Sequence, residues 1–340
     1  MMQKWIDLHI HLDGSLPYEA VHKIMKLENM PEQTDRDLMP LLSVPENCKD
    51  LNEYLAKFDF PLSLMQTRES IRLSMYELLK LQKQQGLLYT EIRFAPQSHR
   101  KKGLCMEDAV QAAVAGMEDF LSEQEENDTA LHAGIILCAM RGAGNEAENR
   151  ETADLVNKYR DKGGVALDLA GAEALFKTES FASLFSYARS LDIPFTIHAG
   201  EADGPDSIRA AVRFGAGRIG HGVRCMEEEA LVEELADRNI ALECCPTSNL
   251  HTKVFTDMRE YPIRRMLERG LKVTVNTDNM TVSGTTERDE FQKLEKALAL
   301  TAAEEQQMLR NSVESIFGGE EEKARLRSLF FREAGTYGKK

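Results

Sequence analysis

Short apolar, β-rich runs alternate with amphipathic helical stretches along the chain. Eight of these runs read as strands, at residues 5–11, 89–95, 131–138, 165–169, 195–199, 218–221, 240–245 and 272–277. The segments between them carry helix signals. Residues 70–84 place Ile71, Met75, Leu78 and Leu79 on one face and stop at Gly86. Residues 151–162 end in Gly163-Gly164. Pro205-Asp206 opens a helix that closes at Gly215, and residues 262–269 close at Gly270. Helix, glycine and strand recur in this order, which predicts an α/β fold, specifically a parallel (β/α)8 TIM barrel, over an open sheet.

No Pro/Ser-rich linker divides the chain, so residues 1–340 are expected to form a single barrel domain. Two regions exceed the repeating unit. Residues 16–67, between the first two strands, are too long for one crossover helix, and residues 51–61 are apolar at helical spacing. This insertion either packs a helix on the barrel wall or forms a lid over the mouth, where long loops build sites. The helical tail from residue 287 onward is expected to brace the barrel without contributing chemistry.

Composition narrows the function. The chain has 340 residues, 42% hydrophobic and 29% charged, with a formal net charge of −14. No run approaches the roughly 18 apolar residues of a membrane helix, and residues 1–7 lack the features of a secretory leader. The six cysteines include no CxxC pair, and adjacent Cys244 and Cys245 read as buried strand thiols, so a reducing cytoplasm is expected. The acidic balance disfavours a nucleic-acid partner. A pocket for a small molecule is the better expectation.

Of eight histidines, His9, His11, His198 and His221 fall at the C-terminal ends of predicted strands. His9 and His11, at i and i+2, face the same side of the first strand. Alone, such a pair is weak evidence, and two hydrogen-bonded core residues are the better reading of it. His198 at the end of strand five and Asp278 at the end of strand eight change that reading. Three imidazoles and a carboxylate at one barrel mouth form a nitrogen/oxygen set suited to zinc. Strand four offers no lysine to bridge two ions, and Asp168 is a poor substitute, so a single metal is expected. His221, between Gly220 and Gly222, is a candidate to orient or deprotonate a water, or else a further ligand or a core histidine. Glu201, three residues past His198, can reach a substrate without reaching the metal, as a general acid must.

Five segments together resemble the adenosine/AMP deaminase family of the amidohydrolases: His9-Ile10-His11-Leu12-Asp13-Gly14-Ser15, Leu169-Ala170-Gly171-Ala172-Glu173, His198-Ala199-Gly200-Glu201, Gly220-His221-Gly222 and Asn276-Thr277-Asp278. The resemblance implies that His9, His11, His198 and Asp278 bind one Zn²⁺. It implies that Glu201 protonates purine N1 and that His221 assists the hydroxide attacking C6, releasing ammonia and inosine. By the same carry-over Gly171 offers its N–H to N3, Asp13 binds the ribose 5′-hydroxyl, and Leu55 and Phe58 line an apolar lid over the sugar. Where animal relatives carry a second aspartate, this chain has Asn279, which can donate to the N7 lone pair. Adenosine or 2′-deoxyadenosine is the expected substrate. AMP would set its phosphate against Asp13, and free adenine would leave the sugar-binding residues without a task. A modified 6-aminopurine, a non-catalytic nucleoside binder and a two-metal amide or lactone hydrolase are the alternatives. The H-x-E and P-C-x-x-C signature of the cytidine-type zinc deaminases is absent.

Overall fold

The computed structural model describes residues 4–331 apart from 46, 50 and 126, with residues 51 and 52 described by their backbone alone. Residues 1–3 and the end of the tail, 332–340, lie outside the described residues. Eight strands form: β1 (Trp5–His11), β2 (Leu87–Phe94), β3 (His132–Met140), β4 (Gly164–Ala170), β5 (Thr196–Ala199), β6 (Arg218–His221), β7 (Ala241–Cys244) and β8 (Lys272–Val275). Strands β1 to β4 pair in parallel with their sequence neighbours, and so do β5 to β8. Two seams join these halves. Leu167 bridges to Phe195, and Ile10 bridges to Asp278 just beyond β8. At the second seam the His11 N–H donates to the Asp278 carbonyl at 2.7 Å, and the Asp278 N–H donates to the His9 carbonyl at 2.8 Å. The sheet is thereby a closed (β/α)8 barrel, as the alternating pattern predicts.

Strand β1 shows why the sequence takes this form. Ile6, Leu8 and Ile10 are fully buried. Ile6 and Leu8 pack outward against Val313, Ile316 and Leu326 of the tail. Asp7, His9 and His11 alternate with them and line the other side. The tail helices, Ala302–Ser315 and Glu320–Phe330, therefore brace the barrel as expected. They also close its floor, because Arg218 donates to the Ser315 carbonyl at 2.8 Å and lies over the Phe317 ring at 3.9 Å.

The insertion after β1 performs both of the roles open to it. Its first helix, Tyr18–Leu27, buries Ala20, Val21, Ile24 and Met25 against the barrel wall. Its later part reaches the mouth, where Tyr54 and Phe58 pack on Val282 beyond β8. The helix expected over 51–61 is broken into Leu51–Leu55, a 3-10 turn Ala56–Phe58, and Asp59–Leu64. Pro61 explains the break, since it has no N–H to donate back to residue 57. The helix expected over 151–162 begins earlier, at Glu146, and ends at Lys158 before a separate turn Arg160–Lys162. No helix among the described residues is long and apolar enough to cross a membrane.

Candidate active site

Four residues converge at the C-terminal mouth: His9 and His11 from the end of β1, His198 from β5, and Asp278 from the turn after β8. One ligand atom from each lies within 4.8 Å of all the others. Asp278 Oδ1 is 3.3 Å from His9 Nε2 and 3.4 Å from His11 Nε2, and the Nε2 atoms of His11 and His198 are 3.2 Å apart. A tetrahedral ion with bonds of about 2.1 Å sets its ligand atoms roughly 3.4 Å apart, so the spacing fits a metal centre. His9 Nε2 is buried without a hydrogen-bond partner, as a nitrogen reserved for a metal would be. Burial pushes the His11 pKa well below its ordinary value. Burial would raise Asp278, but the neighbouring imidazoles of His9, His221 and His11 outweigh it and hold the carboxyl well below the usual range.

The groups behind these ligands fix how they face. Glu243 accepts from His9 Nδ1 at 2.7 Å, and Asp168 sits 2.9 Å from His198 Nδ1. Both carboxylates are fully buried, and Arg93 spans them at 2.9 Å and 3.0 Å. Burial opposes ionisation of each. For Asp168 the charges of His198 and Arg93 outweigh it, and for Glu243 those of Arg93 and Arg218 do so, leaving both far below the carboxylate range. An ionised carboxylate only accepts, so Nδ1 of each histidine carries a proton and Nε2 is the nitrogen turned to the centre. Asp168 is thus committed to orienting His198. Cys245, buried as expected, can enter a second grouping with His9, His221 and Asp278. Burial holds its thiol pKa well above normal, which suits it poorly as a thiolate ligand.

His221 and Asp278 both adopt left-handed backbone, with φ of 60° and 61°. Such conformations cost a non-glycine residue on the order of 1 kcal/mol and persist where surroundings enforce them. Asp278 is pinned through its own N–H and C=O to β1, as described above. His221 Nδ1 faces the Asn249 amide nitrogen at 3.2 Å, while the Tyr261 hydroxyl donates to Asn249 Oδ1 at 3.1 Å. Asn249 therefore donates to Nδ1, which leaves the proton of a neutral His221 on Nε2. That Nε2 lies 3.5 Å from Glu201 Oε2. Glu201 also accepts from Thr252 Oγ1 at 3.3 Å, and its side chain retains 19% exposure toward the mouth.

The remaining predicted residues lie on the segments after β1, β4 and β8 and in the insertion after β1. Gly171 follows β4 with φ of 103°, a left-handed turn that frees its backbone to face the mouth. Burial of the Asp13 carboxyl raises its pKa to about 6 against hydrogen bonds from its own N–H and that of Gly14. Asn279 is buried and donates from Nδ2 to the Tyr54 hydroxyl at 3.0 Å, which in turn contacts Ser283 Oγ at 2.9 Å. One of its two N–H groups is thus taken by the lid, a use absent from the expectation that it serves N7. A Cβ on Gly14 would fall 1.8 Å from Asn279 Oδ1, so Gly14 makes the room for this amide. Phe58 packs beside Tyr54 with centroids 6.2 Å apart and ring planes tilted by 56°, whereas Leu55 is 48% exposed. Tyr54, Asn249 and Glu173 were not singled out from sequence. Asn249 lies in the short helix Pro246–His251 that follows β7, and its polar run Thr247-Ser248-Asn249 beyond a strand end is the signal that could have found it.

A histidine and aspartate cluster of this kind, at the C-terminal mouth of a closed parallel barrel, defines an enzyme of the metal-dependent hydrolase class. The chain belongs to the adenosine deaminase family, whose model matches residues 5–332. It is 45% identical to the adenosine deaminase of Haemophilus ducreyi over 326 residues, covering 94% of each chain. Its fold matches the crystal structure of adenine deaminase from Arthrobacter aurescens with a TM-score of 0.84, at 25% identity over 96% of this chain and 97% of that one. It also matches an amidohydrolase from Burkhoderia ambifaria, crystallised with bound Zn, with a TM-score of 0.83 at 21% identity over 96% and 88% of the two chains.

Proposed function

We propose that this protein hydrolyses the 6-amino group of adenosine and 2′-deoxyadenosine, giving inosine or 2′-deoxyinosine and ammonia. The observation that carries the reading is the placement of Glu201 3.5 Å from His221 beside the four-ligand cluster. His9, His11, His198 and Asp278 would hold one Zn²⁺, a choice supported by the three imidazole nitrogens and single carboxylate of the set. When bound, the ion lowers the pKa of a water toward neutrality and so makes a nucleophile available. His221, with its proton on Nε2 and Asn249 behind it, directs an N–H at that water. Glu201 carries the proton delivered to purine N1, which moves electron density off C6 and opens it to attack. Gly171 offers its N–H to N3, Asp13 accepts from the 5′-hydroxyl, and Tyr54, Leu55 and Phe58 screen the sugar from water. Residues 16–67 act as the lid insertion of a single barrel unit over residues 1–340. The cytoplasm is the proposed location.

Asn279 adjoins the base through its amide. Replacing it with alanine should lower turnover about tenfold or more while leaving the metal content unchanged, since it is not a ligand. Wild-type turnover of that variant would remove Asn279 from the site.

Free adenine is the second reading, because a structural relative bears that activity in its name. Asp13, close to the cluster, favours a substrate with a sugar hydroxyl. The deciding experiment follows the ultraviolet absorbance of adenosine, AMP and adenine in parallel with metal-analysed protein. Loss of the adenosine band alone, with about one metal per chain, supports the proposal. Conversion of adenine instead would transfer it to the second reading.

A further inference from the structure

The turn that carries Glu201 is held by a residue outside its own strand. Glu173, only 3% exposed, stands in the loop after β4 and aims its carboxylate under residues 200–203. It accepts the N–H groups of Gly200 at 2.7 Å, Glu201 at 3.1 Å, Ala202 at 2.7 Å and Asp203 at 2.9 Å. Ser207 Oγ adds a fifth donor at 2.5 Å. Five donors converge on two oxygens, which saturates the acceptor capacity of one carboxylate. Hydrogen bonds to a charged acceptor are about twice as strong as neutral ones, so this is a stiff clamp on an otherwise irregular turn.

The pattern differs from ordinary helix capping. The helix Pro205–Phe214 begins just beyond, and its first-turn amides are those of residues 206 and 207, the second of which donates to the Gly204 carbonyl at 3.1 Å. Glu173 takes neither and binds the four amides of the preceding turn. The clamp also reaches toward the ligand strand: Ser207 Oγ meets Thr178 Oγ1 at 2.6 Å, and Arg141 donates both to Thr178 Oγ1 at 2.8 Å and to the His198 carbonyl at 2.6 Å.

Glu173 lies two residues beyond Gly171. We infer that Glu173 is a positioning residue for proton transfer, tying the turn that seats the N3 edge of the purine to the turn that presents Glu201 at N1. The inference rests on the proposed role of Glu201. It assigns Glu173 no contact with substrate, and it makes the distance between the seated base and the acid a property of a single side chain.

The test is a double-mutant cycle in the full-length, metal-loaded enzyme. Glu173→Gln removes the charge and sets an amide nitrogen against backbone donors. A displacement of about 1 Å at a reacting group costs on the order of 100-fold, so kcat should fall about 10- to 100-fold, with KM changed less than about threefold. In a Glu201→Gln background the same substitution should change kcat by less than about twofold, because the group it positions is already disabled. Ser207→Ala removes one donor of five and should give about a two- to fivefold loss with the same dependence on Glu201, which serves if Glu173→Gln folds poorly. Lys177→Ala breaks the Lys177–Asp203 ion pair between the same two loops, at 2.9 Å, without touching the clamp, and should leave kcat within about twofold. Equal losses in both backgrounds, or no loss from either clamp variant, would overturn the inference while leaving the role of Glu201 intact. Full turnover of Glu201→Gln itself would instead overturn both that role and the inference.

Discussion

Glu201→Gln is expected to reduce kcat for adenosine by about 10²- to 10⁴-fold, the span that positioned proton transfer contributes. Glutamine matches the carboxyl in shape and keeps an oxygen for Thr252 and a neighbour for His221, so packing at the mouth is little altered. What it lacks is a proton that can leave. Neutral adenine resists attack at C6, and a hydrogen bond to N1 without transfer cannot offset this. The four ligand residues are untouched, so metal content should equal that of the parent protein, and KM should move far less than kcat. Steady-state kinetics on metal-analysed protein measures all three. A variant that keeps full turnover would place the acid elsewhere.

Arg93→Leu is expected to be the most damaging change to stability in the barrel interior. Arg93 is fully buried and bridges Asp168, Glu243 and the Leu8 carbonyl. Removing it leaves two buried carboxylates short of their shared cation, a situation that costs about 3–5 kcal/mol. The same carboxylates orient His198 and His9, so metal affinity should fall about 10- to 100-fold as well. Denaturant unfolding and a metal titration read the two effects separately. As a contrast, Lys158→Ala breaks a solvent-exposed ion pair with Glu107 and should leave the unfolding midpoint close to the parent's. If Arg93→Leu unfolded at the parent's midpoint and bound metal equally well, the buried network would have no such role.

The sequence made the barrel and the convergence of His9, His11, His198 and Asp278 at its mouth legible for a physical reason. A strand buried in a barrel is apolar, so polar residues at its C-terminal end stand out, as His9, His11 and His198 do. The bounds of β1 and β6 coincide with their apolar runs, and Gly215 marks a helix end that the structure shows with φ of 92°. Pro61 carried the information that the lid helix breaks, although apolar spacing alone suggested continuity. Glu173 was not legible, because its partners are backbone amides on another loop, and every residue type carries those. Tyr54 was hidden for a related reason: at helical spacing it reads as core, and its bond to Asn279 exists only once the lid folds across β8. Asn249 sets the proton position on His221 from a different strand end, a relation that no local pattern encodes.

The seam between β1 and β8 carries a consequence for biosynthesis. Leu8 N–H is satisfied by Asn276 Oδ1 from 268 residues away, and the neighbouring backbone bonds of His9 and His11 also wait for Asp278. At ordinary translation rates the ribosome takes on the order of 15–50 s to cover that distance. Throughout that interval β1 can pair with β2 on one side but offers an open edge on the other, the kind of surface that invites pairing between chains. The residue that completes the His9, His11, His198 and Asp278 cluster is therefore also the one that ends this exposure, and a nascent chain stalled before β8 would combine an unfinished cluster with an aggregation-prone strand.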